Sequence, residues 1–152
     1  MPVSFKVIDN RTSISKKIKD MERQLENYKV FFLQDMAEYI VSLSPVDTGT
    51  YIMSHNLASN TVGGVTKSDG KPRNQPYQPF VDAALSKLFS QIAGLSDSEL
   101  SSLKFTNTAF HANKVEYESN LLKDPSKGAV YTSARREANN ISSRAAIKAK
   151  SI

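Results

Sequence analysis

Apolar residues recur at helical spacing through the first third of the chain. Ile14, Ile18, Met21, Leu25, Tyr28, Phe32, Met36, Tyr39 and Leu43 are separated by 4, 3, 4, 3, 4, 4, 3 and 4 positions. That is one face of an amphipathic helix running from about Thr12 to Leu43. At 1.5 Å per residue it is about 48 Å long, longer than a compact domain of this size needs. Its second half is apolar over a wider arc, through Val30, Phe31, Phe32, Leu33, Met36, Ala37, Ile40 and Val41. Burial on more than one side is expected there. The first half carries a single stripe flanked by Lys16, Lys17, Lys19 and Arg23, which suits an assembly surface.

Ser44-Pro45-Val46-Asp47-Thr48-Gly49 ends this helix. Pro45 cannot continue it and pushes Ser44 out of the helical region. Asp47 can fold back on its own backbone, and Gly49 supplies a positive φ. Tyr51 to Leu57 reads as a strand or a short helical turn. Residues 60–79 hold four Gly/Pro clusters together with Lys67, Lys71 and Arg73, and are expected to form a flexible extended arm or a long hairpin. Phe80 to Ile92 has the spacing of a short amphipathic helix, stopped by Gly94. Ser96 and Glu99 make a capping-box pattern that opens one more turn, and Lys104 to Asn107 reads as a strand. Phe110 to Tyr117 fits more than one element, and Asn120 to Gly128 is a loop. From Tyr131 onward, Ala134, Ala138, Ile141, Ala145 and Ala149 form a narrow stripe of small residues on a last helix. The expected fold is α+β: a long N-terminal helix and a basic C-terminal helix packed on a small antiparallel sheet.

Composition narrows the class. A chain of 152 residues is read as one domain, 1–152. It is 39% apolar, a lean core, and it has 20 Ser, which fits long polar connections or interfaces. Without Cys there is neither a disulfide framework nor a thiolate metal site. No apolar run approaches the ~18 residues of a membrane span. Met1 to Lys6 lacks the apolar core of a secretory signal, so an intracellular or particle-packaged protein is expected. Charge is uneven. Residues 1–126 hold 14 basic and 14 acidic side chains, whereas 127–152 hold six basic ones and Glu137. The whole excess of +5 therefore lies on the last 26 residues, which suits nucleic acid or an acidic partner, or a solvated face.

Candidate chemistry is sparse. Asp47-Thr48-Gly49 is the triplet that retroviral-type aspartic proteases use once per subunit of a homodimer. In that chemistry it leaves an apolar strand, whereas here it follows a long helix and a proline. His55 and His111 have no metal-ligand spacing and read as surface or capping histidines, so no metal or other cofactor is expected. No nucleophile elbow or phosphate loop occurs, and no catalytic residue is assigned. The groups expected to face a partner or DNA are Lys71 and Arg73 on the arm and Arg135, Arg136, Arg144 and Lys148 on the last helix. Arg136, Asn140, Arg144 and Lys148 stack four apart on one face, a row able to bind phosphates without reading sequence.

A long helix followed by Pro45-Val46-Asp47-Thr48-Gly49, with Ile52 and Ser54 after it, resembles the tail-completion and neck proteins of tailed bacteriophages, the minor tail protein Z type. Phe105 to Glu118 is similar to a second stretch of that family: a strand ending in Thr106-Asn107, an aromatic and an Ala, then Val115-Glu116-Tyr117. The chain departs at His111, which breaks the aromatic–Ala pair, and at Glu118, where the family has Gly. Gly128-Ala129-Val130 entering a basic helix also fits. The resemblance implies a non-enzymatic virion protein, assembled in the host bacterial cytoplasm and forming a homo-oligomeric ring in the neck. Six copies are preferred and twelve are the alternative. Its neighbours would be other neck proteins, portal adaptors and tail-terminator or tail-tube proteins, with non-specific contact to packaged DNA and no membrane. Pro45, Val46, Asp47, Thr48, Gly49, Asn107, Glu116 and Tyr117 would then be structural residues. Two other classes remain open on residues alone: a basic nucleic-acid-binding module, and a homodimeric aspartic protease using Asp47.

Overall fold

The computed structural model describes residues 11–46, 49–59, 64–67, 76–96, 99, 102–117 and 129–151. Helix α1 (Arg11–Leu43) is the axis of the molecule. It is followed by α2 (Thr50–Met53), β1 (His55–Ala58), α3 (Tyr77–Ala93), β2 (Lys104–Asn107), α4 (Ala112–Tyr117) and α5 (Val130–Lys150). The fold is α+β, mostly helical, with one small antiparallel sheet.

The wide apolar arc of α1 is buried on two sides. Met36, Ile40 and Leu43 pack with Ala134 and Ile141 of α5, while Leu33, Ala37 and Val41 pack with Ala84, Leu88 and Ile92 of α3. Small residues let α5 approach closely: Ala134, Ile141, Ala145 and Ala149 are all buried. The two helices run antiparallel. Tyr28 and Ser142 share a hydrogen bond of 2.7 Å. Ala146 and Ala149 border Ile18 and Met21, whereas Arg135 and Ala138 border Met36 and Ile40. The narrow first half of α1 lies beside the end of α5. There Ile14, Ile18, Met21 and Leu25 are each at least half exposed, as a single stripe on a projecting helix must be.

Both readings of Tyr51 to Leu57 are realised in turn, as one turn of helix and then a strand. β1 pairs with β2 in the register His55–Asn107, Asn56–Thr106, Leu57–Phe105 and Ala58–Lys104. Thr66 adds a parallel bridge to Ala109, with Thr66 N–H donating to Thr108 O and Phe110 N–H donating to Thr66 O. The 60–79 arm is therefore shorter at one end than its composition suggested. α3 begins at Tyr77, three residues before Phe80, because Pro76 precedes the helix and Pro79 lies in its first turn, where no backbone donor is needed. Tyr77 contributes there, since its hydroxyl donates to the terminal carbonyls of α1 at Val41 and Ser42. Glu99 accepts from the N–H and hydroxyl of Ser96, as the capping-box spacing predicts.

Candidate functional site

The motif-bearing segments meet where α1 ends. Ser44 N–H donates to Val41 O and its hydroxyl to Ile40 O at 2.8 Å, which closes the helix before Pro45. Val46 is half-buried and packs against the α3 cluster. Gly49 has φ +88°, and a Cβ there would overlap the ring of Phe80. The position thus requires glycine both for its backbone and for the space beside it. Asp47 and Thr48 lie outside the described residues.

At the centre is His55, which is 1% exposed. This corrects the reading of His55 as a surface or capping group. Its Nε2 lies 2.7 Å from Ser44 Oγ, and its Nδ1 lies 2.7 Å from the Tyr131 hydroxyl and 3.2 Å from Asn107 Nδ2. The partners determine the tautomer. The amide nitrogen of Asn107 can only donate, so Nδ1 accepts from it and from Tyr131, and the proton sits on Nε2. Nε2–H then donates to Ser44 Oγ, whose own proton goes to Ile40 O. Burial, with the Lys87 charge as a second cause, lowers the His55 pKa to about 3, so the ring is neutral at pH 7. One imidazole thereby ties the end of α1 to β2 and the start of α5.

The neighbours complete this junction. Asn107 Nδ2 also donates to Tyr51 O at 2.9 Å, and its Oδ1 accepts from Ala109 N–H at 2.9 Å. One side chain thus holds α2 and the turn after β2. Tyr51 stands edge-on to His55 with ring centroids 5.1 Å apart, and His55 is edge-on to Tyr131 at 5.7 Å. Burial first, with the Glu116 charge contributing, pushes the pKa of both tyrosines well above the usual value. Lys87, its pKa lowered by burial, donates to Met53 O at 2.9 Å.

Glu116 does for α5 what the residue before that helix cannot. Ala129 has no side-chain oxygen and makes no capping bond. Glu116 Oε2 instead accepts from Tyr131 N–H at 3.2 Å, and Oε1 accepts from Thr132 N–H at 3.1 Å and from the Thr132 hydroxyl at 3.2 Å. The carboxylate satisfies two amides that have no partner within the helix, at its positive end. Glu116→Ala is expected to lower stability by about 1–2 kcal/mol, with thermal melting lowered by roughly 2–8 °C. Glu116→Gln should recover part of this, because an amide oxygen still accepts. A melting curve unchanged in both variants would show that the cap contributes nothing.

Chemically, this arrangement fastens elements together. A serine and a histidine at bonding distance look like a nucleophile and base, but Ser44 is 0% exposed, and among the described residues the ring is bonded to Ser44, Tyr131 and Asn107 and to no carboxylate. Among the described residues, no group of three or more His, Asp or Glu side chains could hold a metal, and no helix is long and apolar enough to cross a membrane. No protein-family model, curated protein or solved structure matches this chain.

The other predicted residues lie apart from the junction. Tyr117 is exposed. Arg136, Asn140, Arg144 and Lys148 are all exposed on α5, as their spacing requires. Lys148 donates to Asp35 at 2.9 Å and lies over the Phe31 ring, so its charge is spent on α1 as well as on solvent. Arg135 instead lines an open groove of about 410 Å³ between α1, α5 and β2, with Lys29, Phe32, Met36 and Phe105. Lys71 and Arg73 fall outside the described residues. His55, Ser44 and Tyr131 were not anticipated as partners, since 11 and 76 positions separate His55 from the other two and no local spacing links them.

Proposed function

We propose that this chain is a structural subunit of the neck of a tailed bacteriophage, one copy of a homo-oligomeric ring that joins the portal side of the capsid to the tail. One observation carries the reading. The segments that resemble the neck family converge on a single helix–sheet junction, while α1 projects an exposed apolar stripe beyond it. At the junction Pro45 follows the end of α1, Gly49 makes the turn, Asn107 holds the sheet and Glu116 caps α5. These are supporting roles. A projecting stripe of large apolar residues is costly to leave in water and marks a surface to be covered.

The retroviral-type protease alternative needs a nearly all-β chain, whereas the described residues are mostly helical. The nucleic-acid alternative rests on the α5 row, in which Lys148 is bonded to Asp35. Six or twelve copies, contacts with portal-adaptor and tail proteins, and residence in the virion belong to the same proposal. Deleting the coding sequence from the parent phage is the test. The expected lysate contains DNA-filled heads and separate tails that do not join, and supplying the protein in trans restores infectivity. Normal joined particles in the deletion lysate would overturn the proposal.

A further inference from the structure

We infer that the groove between α1, α5 and β2 binds one small carboxylic acid with an apolar body. The body lies along the groove and the carboxylate meets Arg135 at its mouth. This site is separate from the neck reading and does not depend on it.

The groove has a volume of about 410 Å³, within the range of small-ligand sites. Its floor is built from Leu33, Met36 and Ile40 of α1, Leu57 of β1 and Ala134 of α5, each at most 7% exposed. Phe32, Leu103 and Phe105 are half-buried along the walls. At the ~30 Å³ that one water occupies in the liquid, the space holds roughly a dozen non-hydrogen atoms. The lining is therefore a preformed apolar surface of small-molecule size.

Charge selects the head group. The charged residues that line the groove are Lys29 of α1 and Arg135 of α5, both cations. Among the described residues, the acids of the surrounding elements face elsewhere or are engaged. Glu26, one turn before Lys29, borders the α3 side of α1 with Val30 and Phe89. Glu22 borders the groove at the far end of α5, and Glu38 falls outside the run 29, 32, 33, 36 and 40 that faces this one. Asp35 holds Lys148, Glu116 holds the first amides of α5, and Glu137 accepts from Asn140. On β2, Lys104 is exposed and adds positive charge. The mouth thus favours an anion, and the guanidinium of Arg135 matches a carboxylate through two parallel hydrogen bonds.

The polar groups of the lining disfavour an extended peptide. Its amides would need partners in the groove. The two phenols there are already engaged, Tyr28 with Ser142 and Tyr131 with His55, each at 2.7 Å. Apart from them and the two cations, the lining side chains are apolar. An occupant with its polarity confined to one end fits this distribution. Tyr131 belongs both to this wall and to the His55 junction, so an occupied groove also holds the start of α5 in place.

Decanoate matches the size of the groove and is the probe, titrated into the full chain by isothermal titration calorimetry. Decylamine is the cation of equal length. Wild type should bind one decanoate per chain, and decylamine about tenfold more weakly or less. Arg135→Gln changes an exposed side chain and should weaken decanoate about tenfold while leaving decylamine unchanged. Ala138→Phe fills the groove and should abolish binding of both, with circular dichroism checking that each variant keeps the wild-type fold. If Ala138→Phe does not fold, the Arg135→Gln and decylamine comparisons still decide. Absence of saturable binding, several decanoates per chain, equal binding of the two amphiphiles, or decanoate binding unchanged in Arg135→Gln would each overturn the inference. Native mass spectrometry reads the competing occupant. A wild type that associates, beside a folded Ala138→Phe that stays monomeric, would assign the groove to a second copy and overturn the small-molecule site.

Discussion

His55→Ala is expected to lower the unfolding free energy by about 3–5 kcal/mol, a large share of the 5–15 kcal/mol typical of a domain. The imidazole is fully buried, and its removal leaves a cavity beside a serine hydroxyl, a tyrosine hydroxyl and an asparagine amide that each lose a partner. Tyr131→Phe removes only one of these bonds and should cost about 1 kcal/mol. The same residue makes the protein acid-sensitive. In the folded state the pKa is about 3, against about 6.5 in the unfolded chain. The unfolded chain therefore binds the extra proton between those values. The contribution is fully present above pH 6.5 and is lost as pH falls, at about 1.4 kcal/mol per unit. Urea unfolding of wild type and His55→Ala at pH 7.5, 6.5 and 5.5 reads this directly. The gap between the two proteins should narrow toward pH 5.5, and a gap independent of pH would mean that His55 is not held neutral.

Gly49→Ala is the second large effect. The left-handed φ costs a residue with a Cβ about 1–2 kcal/mol, and the new methyl must displace the Phe80 ring, adding about 1–3 kcal/mol. Thermal melting should fall by roughly 5–15 °C. Gly64 is the internal control. It has the same φ of +88° but open space around it, so Gly64→Ala should cost only the backbone part. The double variant Gly49→Ala with Phe80→Ala should be less destabilised than the sum of its parts, because the clash is shared. If Gly49→Ala and Gly64→Ala prove equally costly, the Phe80 contact is not what demands glycine.

These two residues also mark how far the sequence could be read. α1, α5 and β2 were legible because each is a long or strongly patterned segment: a stripe from Ile14 to Leu43, a stripe of small residues from Ala134 to Ala149, and a short strand ending in Asn107. Gly49 was legible as a turn residue because it closes the short segment that Pro45 opens. Its steric need was not, because Phe80 is 31 positions away and meets it only through α3. Tyr77 as the first residue of α3 was hidden by two prolines, which read as arm until their place in the first turn is known. His55 was misread for a related reason. A lone histidine carries no period, and its burial is decided by Ser44, Asn107 and Tyr131 arriving from three separate elements. Glu116 was marked by a family resemblance, but its role as a cap for α5 depends on α4 lying across that helix end.

Whether this chain forms a ring in the neck is read by cryo-electron microscopy of intact particles of the parent phage. The expected density is a closed ring of this chain between portal and tail, six-fold or twelve-fold, with the α1 stripe residues of each copy covered. Particles whose neck contains no density for this chain, or a neck in which it is present without contacting its own copies, would contradict it.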